Sequence, residues 1–277
     1  MSAVPRIKLG LVTATLRLAL GFYFFTGGLC TMVLLTGPFH FATLQAFTAT
    51  NGVVNGFVDT FIFDWLTPQW FFLIAATVSF LIGLNLLLGL YTKYTCIAGI
   101  IALMLQCFAL PVTTVPNLYF AIDVYTLPAS LVLAPQIGLI GFLCCQYSLG
   151  AGPKSLDYRM QKLSKPCNRY FASRALFAGA LYPLLIGALF GWYNGITNFG
   201  VTPVLLLVIV VLLLLPGNMS RRLAGASLAL TSIWYLSGLI QPEMNFWQAI
   251  LAIRIAVVYF FVGLILTHFC LTPRTTT

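Results

Sequence analysis

Few side chains in this chain can do chemistry, so each one stands out. Arg254 lies inside the apolar run ILAIRIAVVYFF, and a charge at the centre of a lipid-spanning helix costs roughly 2.5–3.5 kcal/mol on insertion scales. Two readings account for it: a contact with an anion or another acceptor on a ligand in an internal cleft, or an ion pair with Asp123 or Glu243 or a bond to a helix carbonyl. Arg17 is a second charge within an apolar stretch, and Asp157 is the acid that could reach it at the end of GAGPKSLDYRM. Ser155 is placed to cap a short helix starting there. The glycines Gly150 and Gly152 end a helix and let the chain turn; without a preceding strand or a third glycine they are no dinucleotide fingerprint.

Metal and haem chemistry find no ligand set. The only histidines, His40 and His268, fall at opposite ends of the expected helices and cannot clamp one haem. The seven cysteines show no zinc spacing, and adjacent Cys144 and Cys145 point about 100° apart on a helix. They read as packing or lipid-facing residues ahead of any redox or palmitoylation role. No metal is expected and no cofactor is held covalently.

The elements that must position these residues follow from composition. Of 277 residues, 60% are hydrophobic and only 7% charged, a balance far from that of soluble domains. Apolar runs of about 20 residues match a hydrocarbon core about 30 Å thick, where every backbone amide must pair internally. Without period-two alternation, these runs are helices, not barrel strands. The fold class is therefore all-α, a polytopic membrane protein with eight expected spans at about 9–35, 70–90, 95–110, a fourth ending near 149, 175–196, 201–216, 223–240 and 246–271. The aromatic segment 36–69 is expected to lie in the outer interface.

Charge sets the topology. The net charge of +9 would suggest nucleic acid in a soluble protein. Here Arg6, Lys8, Lys93, the series Lys154, Arg159, Lys162, Lys165, Arg169 and Arg174, then Arg221, Arg222 and Arg274 all fall in loops on one side. By the positive-inside rule that side is cytoplasmic and holds both termini; no nucleic-acid partner is implied. Arg159, Lys162 and Lys165 would meet lipid phosphates, making membrane lipids the first partners. Arg17 and Arg174 stand at matching places early in two halves, and residues 86–103 run loosely parallel to 212–230. The halves read as two tandem four-helix bundles, 1–160 and 175–277, joined by a basic linker at 161–174 and related by an axis along the membrane normal.

The first half carries a resemblance. Arg17 followed by Gly21, Gly27 and Gly28, the hairpin GLNLLLGLYTK at 83–93, and the closing Gly150, Gly152, Ser155, Leu156 and Asp157 resemble the DoxX family of four-helix bacterial membrane proteins over about residues 10–160. Where that family often carries a Lys late in helix one and an acid ahead of the second motif, this chain has Cys30, Thr31 and Ser79. The resemblance implies a bacterial inner-membrane location, other protein subunits as partners, and a DoxD-like role coupling a redox enzyme to the quinone pool, with quinone as the associated cofactor. Arg254 and Arg17 are then the candidate quinone contacts. Arg17, Asp157, Ser155, Gly150, Gly152 and Arg174 are candidate residues of the inner rim. No reaction is assigned to the chain itself. The alternatives are a non-catalytic structural or assembly subunit of a larger membrane complex and, third, a small-solute transporter.

Overall fold

A computed structural model describes residues 6–37, 67–109, 129–152, 155–159, 169–193, 201–215, 217–239 and 246–268. Among them every regular element is a helix: α1 (Arg6–Thr36), α2 (Pro68–Leu88), α3 (Thr92–Ala109), α4 (Ala129–Leu149), the short α5 (Leu156–Arg159), α6 (Arg169–Tyr193), α7 (Val201–Leu214), α8 (Asn218–Leu239) and α9 (Phe246–His268). Among the described residues, three segments are long and apolar enough to cross a membrane: Leu9–Thr36, Gln69–Leu88 and Ala249–His268. Shorter apolar helices cover Thr92–Leu105, Gln136–Leu149, Tyr170–Ile186 and Val204–Leu214. This composition is compatible with a helical membrane protein.

Local chemistry sets several helix ends. Pro68 opens α2 behind an extended Thr67, where its missing N–H costs nothing. Gly89 closes α2 in the left-handed conformation, φ 69°, with its own amide and that of Leu90 donating to Leu86 and Asn85 carbonyls at 3.1 and 2.9 Å. Hydroxyls inside the helices are absorbed locally: Thr13, Thr26, Thr77, Ser148, Ser232 and Thr267 each donate to a carbonyl one turn back. Such bonds let polar residues sit in an apolar helix without an outside partner.

Two boundaries differ from expectation. Helix α6 begins at Arg169, not near residue 175, so the end of the expected linker is helical. Arg174 stacks on the Tyr170 ring one turn back, its guanidinium carbon 4.1 Å from the ring centroid, and this amphipathic first turn extends the helix past its apolar part. Likewise α8 begins at Asn218, which places Arg221 and Arg222 in a helix rather than in a turn.

The long helices pack as a ring in chain order, α1 to α2, α3, α4, α6, α7, α8 and α9, and α9 returns to α1. A further contact between α1 and α4 closes the first four into a bundle. Glycine allows close seams between helices. A Cβ added at Gly141 of α4 would stand 2.7 Å from the Gly179 Cα of α6, and one at Gly263 of α9 would stand 2.7 Å from the Ala229 nitrogen of α8. Where side chains gain little hydrophobic drive from leaving lipid, such backbone approach supplies the packing. One buried cluster runs through the ring, including Leu16, Leu20, Leu86, Leu103, Phe142 and Val262.

Candidate functional site

The residues singled out in the sequence divide into two places on α1. The first is a rim knot at the α2–α3 turn. Arg17 is buried, and its Nη1 donates to the Ala151 carbonyl at 3.0 Å. Asp157 is buried beside it, within electrostatic reach of that guanidinium. The Asp157 carboxylate is spent on backbone: Oδ1 accepts from the Tyr91 amide at 2.7 Å and Oδ2 from the Thr92 amide at 2.8 Å. Its own amide donates to the Gly89 carbonyl at 3.0 Å. A carboxylate supplied from beyond the end of α4 therefore caps the N-terminus of α3, where unpaired amides and the helix dipole favour negative charge.

The neighbours of the knot explain its residue types. A Cβ at Gly89 would overlap Arg17 Nη1 and stand 2.5 Å from the Ser155 Cβ, so glycine is required there for space as well as for its positive φ. Ser155 accepts from the Tyr158 amide at 3.1 Å and donates to the Gly152 carbonyl at 2.7 Å, capping α5. Gly150 and Gly152 both adopt positive φ, 77° and 76°. The buried Gln146 side chain donates to the Gly150 carbonyl at 2.8 Å. Arg159 is exposed, while Arg174 stays on its own helix against Tyr170. Lys162, Lys165, His40, Asp123, Glu243 and the aromatic segment 38–66 lie outside the described residues.

The second place lies midway along α1 and α9. The Arg254 guanidinium rests over the ring of Tyr23, 4.6 Å from its centroid. Gly27, one turn further along α1, leaves the space that its Nη1 fills. Cys30, buried on the next turn, is within electrostatic reach of the charge. Among the described residues Arg254 makes no ion pair, and its buried Nε has no hydrogen-bond partner. A cation–π contact contributes about 0.5–2 kcal/mol, less than the roughly 2.5–3.5 kcal/mol that a charge at the centre of a spanning helix costs. The balance calls for a further acceptor.

Tyr259 extends this cluster across the ring. It leaves α9 and meets Phe142 of α4 edge-on with centroids 5.4 Å apart. Its hydroxyl fills the space that Gly138 leaves beside Pro183 of α6. There it is buried with no hydrogen-bond partner among the described residues. Pro183 lies inside α6 and has no N–H to give the carbonyl one turn back. Arg254 and Tyr23 thus meet between α9 and α1, and Tyr259 carries a second buried polar group from α9 to the α4–α6 seam.

Arg17 does not share this place. From Arg17 to Tyr23 and Gly27 is about 9–15 Å along α1 at ~1.5 Å per residue, so Arg254 and Arg17, each a candidate ligand contact, lie at different places on the bundle. The sequence did not single out Tyr23 or Tyr259, since each reads as one more aromatic residue in an apolar run. Among the described residues no three His, Cys, Asp or Glu side chains gather as a metal site, and His268 is exposed at the end of α9. Cys96 and Cys145 are buried and Cys144 is half-buried.

Fold and site together define, among the described residues, an all-helical protein with apolar, membrane-length helices and the polar side chains of Arg254, Tyr23 and Tyr259 set among them. Comparison with family models, curated proteins and solved structures gives no match.

Proposed function

We propose that the chain is an eight-span bacterial inner-membrane protein of two tandem four-helix modules, with both termini cytoplasmic. In this reading it is a DoxX/DoxD-like subunit that couples a redox partner to the quinone pool. The observation that supports it best is the pair of buried atoms on α9 with no hydrogen-bond partner among the described residues, Arg254 Nε and Tyr259 Oη, the first of them beside Tyr23. An isoprenoid quinone matches that chemistry: its ring brings carbonyl acceptors and its tail belongs in lipid. A hydrogen bond from a charged donor is worth about 1.5–3 kcal/mol net, enough to close the deficit at Arg254.

In this role the chain supplies binding and orientation. A bound quinone would accept two electrons from a soluble oxidoreductase together with two protons. Arg254 would hold one of its carbonyl oxygens and favour negative charge developing there.

The test is purification in mild detergent followed by quinone extraction. The wild-type protein is expected to carry quinone near one per chain. Arg254→Met and Tyr259→Phe are expected to lose most of it while eluting as the wild type does. Wild-type protein free of quinone but holding a fixed set of membrane subunits overturns the reading in favour of an assembly role.

A further inference from the structure

A groove on the outer surface of the ring carries an inference separate from the quinone reading, resting only on the helices spanning a membrane. It lies between the starts of α3 and α6 and the end of α4, with a volume of about 510 Å³, inside the roughly 300–1,000 Å³ range of small-ligand sites. Helix α3 lines it with Lys93, Ile97 and Ile100, and α4 with Cys144, Tyr147 and Ser148. These spacings each define one helix face, so two stripes face each other across the groove.

The stripes share a polarity gradient. Lys93 is in the first turn of α3, and Tyr147 and Ser148 are in the last turn of α4. Polar groups therefore gather at one level, beside the rim knot. Ile97, Ile100 and Cys144 lie one to two turns deeper, about 6–10 Å at ~1.5 Å per residue. This is the order of a phospholipid, headgroup then chain.

Charge selects the headgroup. The half-buried Lys93 ammonium lies 5.8 Å from the centroid of the Tyr147 ring, with no ion pair among the described residues. The one acid among them, Asp157, has both carboxylate oxygens on the Tyr91 and Thr92 amides. A zwitterionic ethanolamine lipid would bring a second ammonium to this mouth, whereas an anionic lipid brings the missing negative charge.

We infer that this groove binds one anionic phospholipid in the leaflet on the Arg17–Asp157 side, its phosphate at Lys93 and an acyl chain against Ile97 and Ile100. The experiment is native mass spectrometry of the intact detergent-solubilised protein, incubated with phosphatidylglycerol or phosphatidylethanolamine. Wild type is expected to retain one phosphatidylglycerol in preference. Lys93→Gln should weaken that retention about fivefold, the effect of one basic residue near a membrane surface. Ile100→Trp, which fills the groove and leaves the charge, should abolish it. Both substitutions lie on the outer surface, and an unchanged elution volume shows that the fold is kept. Equal retention of the two lipids by wild type, or undiminished phosphatidylglycerol on either variant, overturns the inference.

Discussion

Asp157→Ala tests whether the rim knot holds the first bundle together. The substitution removes both acceptors from the Tyr91 and Thr92 amides and leaves the buried Arg17 without its nearby counter-charge. Loss of a helix N-cap costs about 0.5–2 kcal/mol, and leaving a buried hydrogen-bonding group unsatisfied costs about 1–3 kcal/mol. Arg17 keeps its bond to the Ala151 carbonyl, and at the middle of these ranges the total is about 3 kcal/mol. At about 2–4 °C per kcal/mol for a chain of this order of size, the midpoint should fall by about 6–12 °C. Asp157→Asn keeps one acceptor and should lose about half as much.

The assay has a global and a local arm. Intrinsic fluorescence in a thermal ramp gives the midpoint. Labelling of Cys96 by a thiol dye, with the other cysteines replaced, reports on the start of α3 alone, because Cys96 is fully buried just inside it. Asp157→Ala should expose Cys96 well below the global midpoint. A midpoint within about 2 °C of wild type, with Cys96 still protected, would refute the capping argument. The double variant with Arg17→Met should cost less than the sum of the single changes, since the two residues share the knot.

Two further predictions follow from glycines beside the arginines. Gly89→Ala combines a left-handed φ, worth about 1–2 kcal/mol against an L residue, with displacement of Arg17; thermal unfolding should show a loss at least as large as that of Asp157→Asn. Gly27→Ala pushes a methyl into the space held by the Arg254 guanidinium. In the quinone-extraction assay it should reproduce Arg254→Met, and retention of wild-type quinone would detach Gly27 from the site.

Much of the scaffold was legible because apolar length is a one-dimensional signal. The run ending at Leu149, for example, needs no tertiary information to be read as a helix. Where boundaries moved, polar ends were the cause: Tyr170 and Arg174 continue α6 outward because an arginine stem can lie along an aromatic ring. The rim was legible only in outline. Arg17 and Asp157 could be placed at one end of the bundle, but the bonds of Asp157 to amides more than sixty residues earlier depend on how α4 returns to the α2–α3 turn. Tyr23 and Tyr259 escaped notice for a different reason. In a run such as VVYFF the hydroxyl is a single polar atom, and only a buried Oη without a partner distinguishes it from an interface anchor.

The proposed tandem arrangement gives these two tyrosines a further meaning. If α6 corresponds to α1 and α9 to α4, the seams α4·α6 and α9·α1 are counterparts, yet they are built differently. At α4·α6, Gly141 and Gly179 bring the backbones too close for any side chain between them. At α9·α1, Gly27 gives its space to a guanidinium, and the helices meet through Arg254 and Tyr23. A closed seam fixes the two halves to each other, while a seam filled by a charge with an unmet donor can take a ligand. Tyr259 joins the two, reaching from the Arg254 helix to the glycine seam at Gly138. A ligand at Arg254 would therefore be felt at the contact that binds the modules together.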